Sequence, residues 1–287
     1  MLVSERIGQL FVESDGGRDR LEYTEYGSGD QWVVLLHGLL MPRRMQQPLA
    51  RAMAAQGLHV VTLDLLGHGR SDQPADPLVY SMTSFGEQVV ALLDHLGAEQ
   101  AVVGGTSLGA NVALEVAVIA PDRVRGLVVE MPVLNNALVA GIVAFVPIMF
   151  AARYAPFTAN ALQRAARSVP RGLVPFWAGI ALDTVDHRAE TTAAMLHGVI
   201  FGRVAPSSRQ RRSIQAPTLV VGHPVDPIHP FVDADMLAAE LPHVRIERAT
   251  SILEWRFRPE RLTRAATDFA LDCWSAGAAR AGRSRKR

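Results

Sequence analysis

In the stretch Ala101-Val-Val-Gly-Gly-Thr-Ser-Leu-Gly-Ala110 an apolar strand runs into a Gly-x-Ser-x-Gly turn, and a helical pattern follows over residues 108–120. A serine at such a bend is lifted clear of the backbone, as nucleophilic attack on an acyl carbon requires. Side chains at Gly105 and Gly109 would collide with neighbouring backbone there, so the glycines are part of the device. Ser107 is therefore the candidate nucleophile. A second motif, His37-Gly38-Leu39, follows the apolar run Trp32-Val-Val-Leu-Leu36. From that position the N–H of Leu39 can point toward the serine turn. With the N–H of Leu108, at the start of a helix, it would form an oxyanion hole in which one donor is worth about 3 kcal/mol of transition-state stabilisation. A third candidate, Asp226, lies in Gly222-His-Pro-Val-Asp-Pro-Ile-His-Pro230, where a carboxylate can orient an imidazole. The glycine-rich Asp64-Leu-Leu-Gly-His-Gly-Arg-Ser71 reads as scaffold beside the site.

The elements that must position these groups follow a regular rhythm. Residues 7–13 and 21–26 read as a hairpin joined by the turn-rich segment 14–19. Continuous apolar strands are expected at 32–36, 59–63, 101–104, 124–129 and 217–222, with a last strand at 244–247. Helices are expected at 44–56, 83–96, 108–120, 232–240 and 259–274, several of them ended by glycine or proline. Strands alternating with crossover helices specify an α/β fold, a mostly parallel sheet with helices on both faces. The rhythm stops between Met131 and Arg212, where apolar helical stretches take over. This predicts a core made of residues 1–130 and 213–278 and an inserted helical cap at 131–212.

Composition narrows the class. A chain of 287 residues with 49% hydrophobic content can bury one sizeable core. The net charge of +1 argues against a nucleic-acid partner, because the one basic concentration is the end of the chain. Residues 279–287 are expected to form a disordered, solvated tail. The single cysteine, Cys273, excludes an internal disulfide and reads as a buried helix residue. The first residues lack the pattern of a secretory signal, and cytoplasm is the expected location. The apolar run over 137–152 falls short of the roughly 20 residues that span a bilayer and contains Pro147. It is expected to be a buried or pocket-lining helix, with peripheral contact to a membrane surface as the second reading. No metal-ligand spacing or phosphate-cradling loop stands out, so neither metal nor cofactor is expected.

Together His37-Gly38, Gly67-His-Gly-Arg-Ser71, Gly105-Thr-Ser-Leu-Gly109 and Asp226-Pro-Ile-His-Pro230 resemble the α/β-hydrolase fold superfamily, in that family's order and over nearly the whole chain. The resemblance implies a triad in the order nucleophile, acid, histidine, with the histidine in the loop after the last strand. That loop here is Ala249-Thr-Ser-Ile-Leu-Glu-Trp255, and no histidine follows His243. Substitutes are His223 and His229, nearest by topology, with His229 named as the base. His187 and His197 in the cap, and His37, are the other imidazoles, while Glu254 is a carboxylate alternative as base and Glu130 an alternative acid. Two functions compete. One is a serine hydrolase acting on an ester or related acyl bond of a lipophilic small molecule, with Phe145, Met149 and Trp177 lining the substrate site. The other is a protein of the same fold that binds a ligand or catalyses without hydrolysis, because the triad histidine is missing. Epoxide opening is disfavoured, since those branches place an aspartate where Ser107 stands.

Overall fold

The computed structural model describes residues 3–14 and 17–284. The chain opens with strands β1 (Glu5–Ser14) and β2 (Gly17–Tyr26), followed by β3 (Trp32–Leu36), helix α1 (Gln47–Ala54) and β4 (His59–Leu63). Next come α2 (Met82–Leu96), β5 (Ala101–Thr106), α3 (Leu108–Ile119) and β6 (Val124–Glu130). Helices α4 (Ala137–Tyr154), α5 (Pro156–Ser168), α6 (Phe176–Val185), α7 (Ala189–Phe201) and α8 (Ser208–Ser213) then precede β7 (Thr218–Gly222). The chain closes with α9 (Phe231–Glu240), β8 (Val244–Arg248), α10 (Glu254–Phe257) and α11 (Glu260–Ser284).

Among the described residues the eight strands form one sheet in the order β1-β2-β4-β3-β5-β6-β7-β8. The hairpin β1–β2 and the pair β2–β4 are antiparallel, and every later pairing is parallel. Side chains alternate between the faces along each strand. Val34, Leu36, Val61, Leu63 and Val103 join a core with α2 and α3 on one face. Their neighbours Val33, Leu35, Val60 and Val102 pack against α1 and α11 on the other, together with the buried Cys273. Burial on both faces explains the uninterrupted apolar sequence of the central strands. Helix α2 begins where the Ser81 side chain accepts from the Ser84 N–H and stops at Gly97, which takes the left-handed φ of 67°.

Two expectations change. The first helix is shorter than residues 44–56, because a 3-10 turn at Arg43–Gln46 comes first and Pro48 sits in the opening turn of α1. Helix α11 runs through to Ser284, so most of the segment expected to be disordered is helical. Its alanines and arginines are good helix formers, and residues 285–287 lie outside the described residues. Helix α4 covers the apolar run 137–152; only Ala137, Met149 and Ala152 in it are buried, while Leu138, Ile142 and Phe145 line a cavity, so of the two expectations the pocket-lining helix holds and the buried one does not.

The segment between β6 and β7 holds no strand among the described residues. Part of it rests on the core through three rings. His187, in the α6–α7 connection, stands edge-on to His68, with ring centroids 6.0 Å apart, and His68 lies 4.5 Å from His37. Burial pushes all three imidazoles below their ordinary value, so they are held neutral. In the unfolded chain they protonate below about pH 6.5. Stability is therefore lost as pH falls through that value, at up to about 1.4 kcal/mol per pH unit for each group. Melting curves should show Tm falling between pH 7.5 and 5, less steeply in His187→Gln. A flat profile would contradict the assignment.

Candidate active site

Ser107 occupies the single residue between β5 and α3, with φ 55° and ψ −110°. A non-glycine residue there costs on the order of 1–3 kcal/mol, so the surroundings must impose it. They do so through close backbone approach. A Cβ on Gly105 would lie 2.5 Å from the Gly109 carbonyl carbon, and one on Gly109 would lie 2.6 Å from the Leu36 carbonyl oxygen. The Ser107 N–H donates to the Glu130 carbonyl at 2.9 Å, and the Gly109 N–H donates to that of His37 at 3.1 Å. The turn is thereby fastened to the strands on either side of β5.

The Ser107 Oγ lies 2.8 Å from His229 Nε2. The imidazole is held from behind by Asp226, whose Oδ2 is 3.0 Å from His229 Nδ1. The other oxygen, Oδ1, accepts the backbone N–H groups of Ile228 at 2.8 Å and His229 at 2.9 Å. One carboxylate thus both shapes the loop after β7 and aims the ring that the loop carries. Burial would raise the Asp226 carboxyl. The hydrogen bonds from His229 and the charge interaction with it outweigh burial and hold it below the usual carboxylate range. In this arrangement an imidazole can take a hydroxyl proton at Nε2 while a carboxylate fixes the tautomer at Nδ1.

Leu39 and Leu108 both line the cavity onto which Ser107 opens. Neither backbone N–H donates to a carbonyl among the described residues, and Leu108 is the first residue of α3, where N–H groups have no intrahelical partner. The cavity is about 400 Å³ and mostly apolar, walled by Leu138, Ile142 and Phe145 of α4, Val199 and Ile200 of α7, and Ile228.

The remaining candidate acids and bases lie elsewhere, a result that only the folded loops could reveal. His223 is fully buried one residue past β7, its Nδ1 3.0 Å from the Ser251 carbonyl and its Nε2 3.3 Å from Glu130 Oε1. Glu130 also receives Arg256 Nη2 at 2.7 Å and the Thr106 hydroxyl at 2.5 Å. Burial pushes the Glu130 carboxyl up, but Arg256 and His223 overcome it and hold it well below the ordinary range. Glu130 is a buried anion in this cluster and no partner of His229. Glu254 accepts the Thr250 N–H and hydroxyl and Arg261; the Arg261 bond, with these, holds it near 2, which unsuits it as a base. His37 spends both ring nitrogens, on the Gly38 carbonyl and the Leu65 N–H. His187 faces His68, and His197 packs on Phe201.

Of the three apolar residues expected around a substrate, Phe145 lines the cavity in front of Ser107. Met149, one turn on and past Pro147, lines a separate cavity with Phe150 and Phe201. Trp177 donates its Nε1–H to the Arg256 carbonyl at 2.7 Å and lies under the Arg256 guanidinium, behind Glu130. Composition alone cannot separate such packing residues from pocket walls.

Two residues that the sequence did not flag hold the cavity's roof. Asp233 of α9 accepts the N–H groups of Leu134, Asn136 and Ala137, pinning the start of α4. Asn111 of α3 donates to the Val133 and Val204 carbonyls and accepts from the Val133 N–H, tying the β6–α4 and α7–α8 connections. Neither an aspartate in α9 nor an asparagine in the buried helix α3 carries a local signal of such distant partners.

The α/β hydrolase fold family model matches residues 31–245, and the chain belongs to that family. Over 96 residues it is 40% identical to epoxide hydrolase B of Mycobacterium tuberculosis, an overlap of 33% of this chain and 27% of that one. The chain therefore matches about a quarter of that relative's length. It is 24% identical over 240 residues to 3-oxoadipate enol-lactonase 2 of Acinetobacter baylyi, covering 79% of this chain and 84% of the relative. The fold is that of the thermophilic esterase of Thermogutta terrifontis, with a TM-score of 0.73, 22% identity, and 93% and 99% of the two chains covered.

The backbone at Ser107 makes a test independent of activity. Glycine is ordinarily less stable than alanine in a folded chain, yet it alone adopts this φ without strain. Ser107→Gly should therefore be more stable than Ser107→Ala by about 1 kcal/mol. Chemical denaturation of the two variants measures it, and the ordinary order, alanine above glycine, would contradict the strained geometry.

Proposed function

We propose that this chain is a serine hydrolase acting on an ester or related acyl bond of a lipophilic small molecule. The reading is carried by the 2.8 Å contact between Ser107 Oγ and His229 Nε2, with Asp226 behind the ring. In the first half-reaction Oγ attacks the acyl carbonyl carbon while Nε2 takes the hydroxyl proton. The oxyanion accepts from the Leu39 and Leu108 N–H groups. The imidazolium then gives its proton to the departing alkoxide, leaving an acyl-serine and a free alcohol. In the second half, Nε2 takes a proton from water as the hydroxide attacks the acyl carbon. Return of that proton to Oγ releases the carboxylic acid. The apolar walls of the 400 Å³ cavity favour a substrate with a hydrophobic acyl or alcohol part.

Epoxide opening by a nucleophilic carboxylate does not fit, because the elbow carries a hydroxyl. The alternative of a binder without hydrolysis drew its motive from the missing histidine after β8. An imidazole reaching Ser107 from the β7–α9 loop removes that motive.

Steady-state turnover of p-nitrophenyl esters of increasing acyl length tests the proposal. Ser107→Ala should abolish turnover. His229→Ala should lower kcat by about 10² to 10⁴, and His197→Ala should leave it unchanged. Equal rates for His229→Ala and the parent would exclude His229 as the base, and undiminished turnover by Ser107→Ala would exclude the reaction as written.

A further inference from the structure

We propose that the outer face of α4, with the adjoining ends of α5 and α7, docks on an anionic lipid bilayer, lying on the surface with the cavity of Ser107 directly behind it.

Helix α4 has two working faces. Leu138, Gly141, Ile142 and Phe145, spaced as one helical stripe, line the serine cavity. A second stripe points away from the protein: Val139 is 71% exposed, Val143 69%, Phe150 50% and Tyr154 75%. Phe157 at 80% and Phe201 at 68% extend it. Phe150, Tyr154 and Phe201 also border one open apolar cavity of about 780 Å³. A continuous set of large apolar side chains in water is costly and marks a surface that something covers.

Charge indicates what covers it. Residues 131–212 contain nine arginines and three acidic residues, a net +6, whereas residues 1–130 and 213–287 carry 20 basic and 25 acidic residues, a net −5, with five of the basic ones at 280–287. The helical segment is thus a cationic body set on an anionic one. Five of its arginines are engaged: Arg167 with Asp186, Arg171 with Asp183, Arg188 with Glu190, Arg203 with Glu115 and Arg211 with Glu240. Arg153, at the end of α4, and Arg164, Arg209 and Arg212 are exposed and have no ion pair among the described residues. Aromatic and aliphatic side chains on helices that also carry the free arginines Arg153 and Arg164 suit an anionic headgroup layer. A second copy of this chain would bring the same positive charge onto itself.

Helix α4 does not need to cross the bilayer to do this. Its 18 residues make about 27 Å of helix, Asp233 pins its start, and one face is taken by the cavity. The docking stands on the surface alone; its use, transfer of a lipophilic substrate from bilayer to cavity, rests on the hydrolase reading.

The test is flotation of the full chain with vesicles of phosphatidylcholine alone or mixed with phosphatidylglycerol, beside turnover of a water-soluble p-nitrophenyl ester. The parent should float at least about tenfold more with the anionic vesicles, and added salt should weaken this. The double variant Val143→Glu/Phe150→Glu should lose about tenfold or more of that binding while keeping its rate on the soluble ester. Equal flotation of parent and variant would overturn the proposal by giving binding to another basic segment. No flotation of the parent, or a parent dimer in light scattering that the variant loses, would overturn it too. Loss of ester turnover in parent and variant alike, with flotation intact, would sink only the hydrolase reading.

Discussion

The hydrogen bond between Ser107 and His229 joins residues 122 positions apart, and the rest of the fold is arranged so that it can form. On one side stands a backbone bend that serine would not adopt alone, forced by the contact of Gly105 with Gly109 and of Gly109 with the carbonyls of β3. On the other stands a loop whose shape is dictated by one of its own side chains. Because Asp226 accepts two amides of its loop with one oxygen and the imidazole with the other, loop geometry and ring orientation form a single unit. The parallel strands β5, β6 and β7 bring the two units to the same end of the sheet.

That arrangement also accounts for the loop after β8, where the family resemblance implies a histidine. Glu254 grips the Thr250 amide and hydroxyl and is itself gripped by Arg261, so the loop is closed on itself. Beneath it, Glu130, His223, Arg256 and Thr106 form a buried polar cluster that uses the one other imidazole near the end of β7. A buried carboxylate next to a guanidinium and an imidazole is compensated charge, and it fastens α10 to the end of β6. This cluster ties scaffold elements together, while the loop between β7 and α9 is the one that faces Ser107.

The sheet was legible because buried parallel strands are written as unbroken apolar runs; residues 32–36 and 59–63 begin and end where the runs do. The elbow was legible for a related reason, since its glycines answer to local backbone collisions. Asp226 and His229 were legible as an acid and an imidazole in a loop near the site, but the geometry that joins them was not, because it depends on a turn that only the folded loop takes. Trp177 and Met149 were misplaced because apolar side chains look alike whether they pack on an arginine, fill the core or line a cavity. The outer stripe of α4 was hidden by its neighbours: where every position is apolar, periodicity cannot tell an inward face from an outward one.

The central claim is that the Ser107 hydroxyl is activated by His229. The most direct measurement is reaction with a fluorophosphonate, followed by peptide mass spectrometry. The account predicts a single adduct on Ser107, formed fast in the parent and slowed by orders of magnitude in a folded His229→Ala variant. A folded parent that takes no label, or one labelled equally fast without the imidazole, would contradict it.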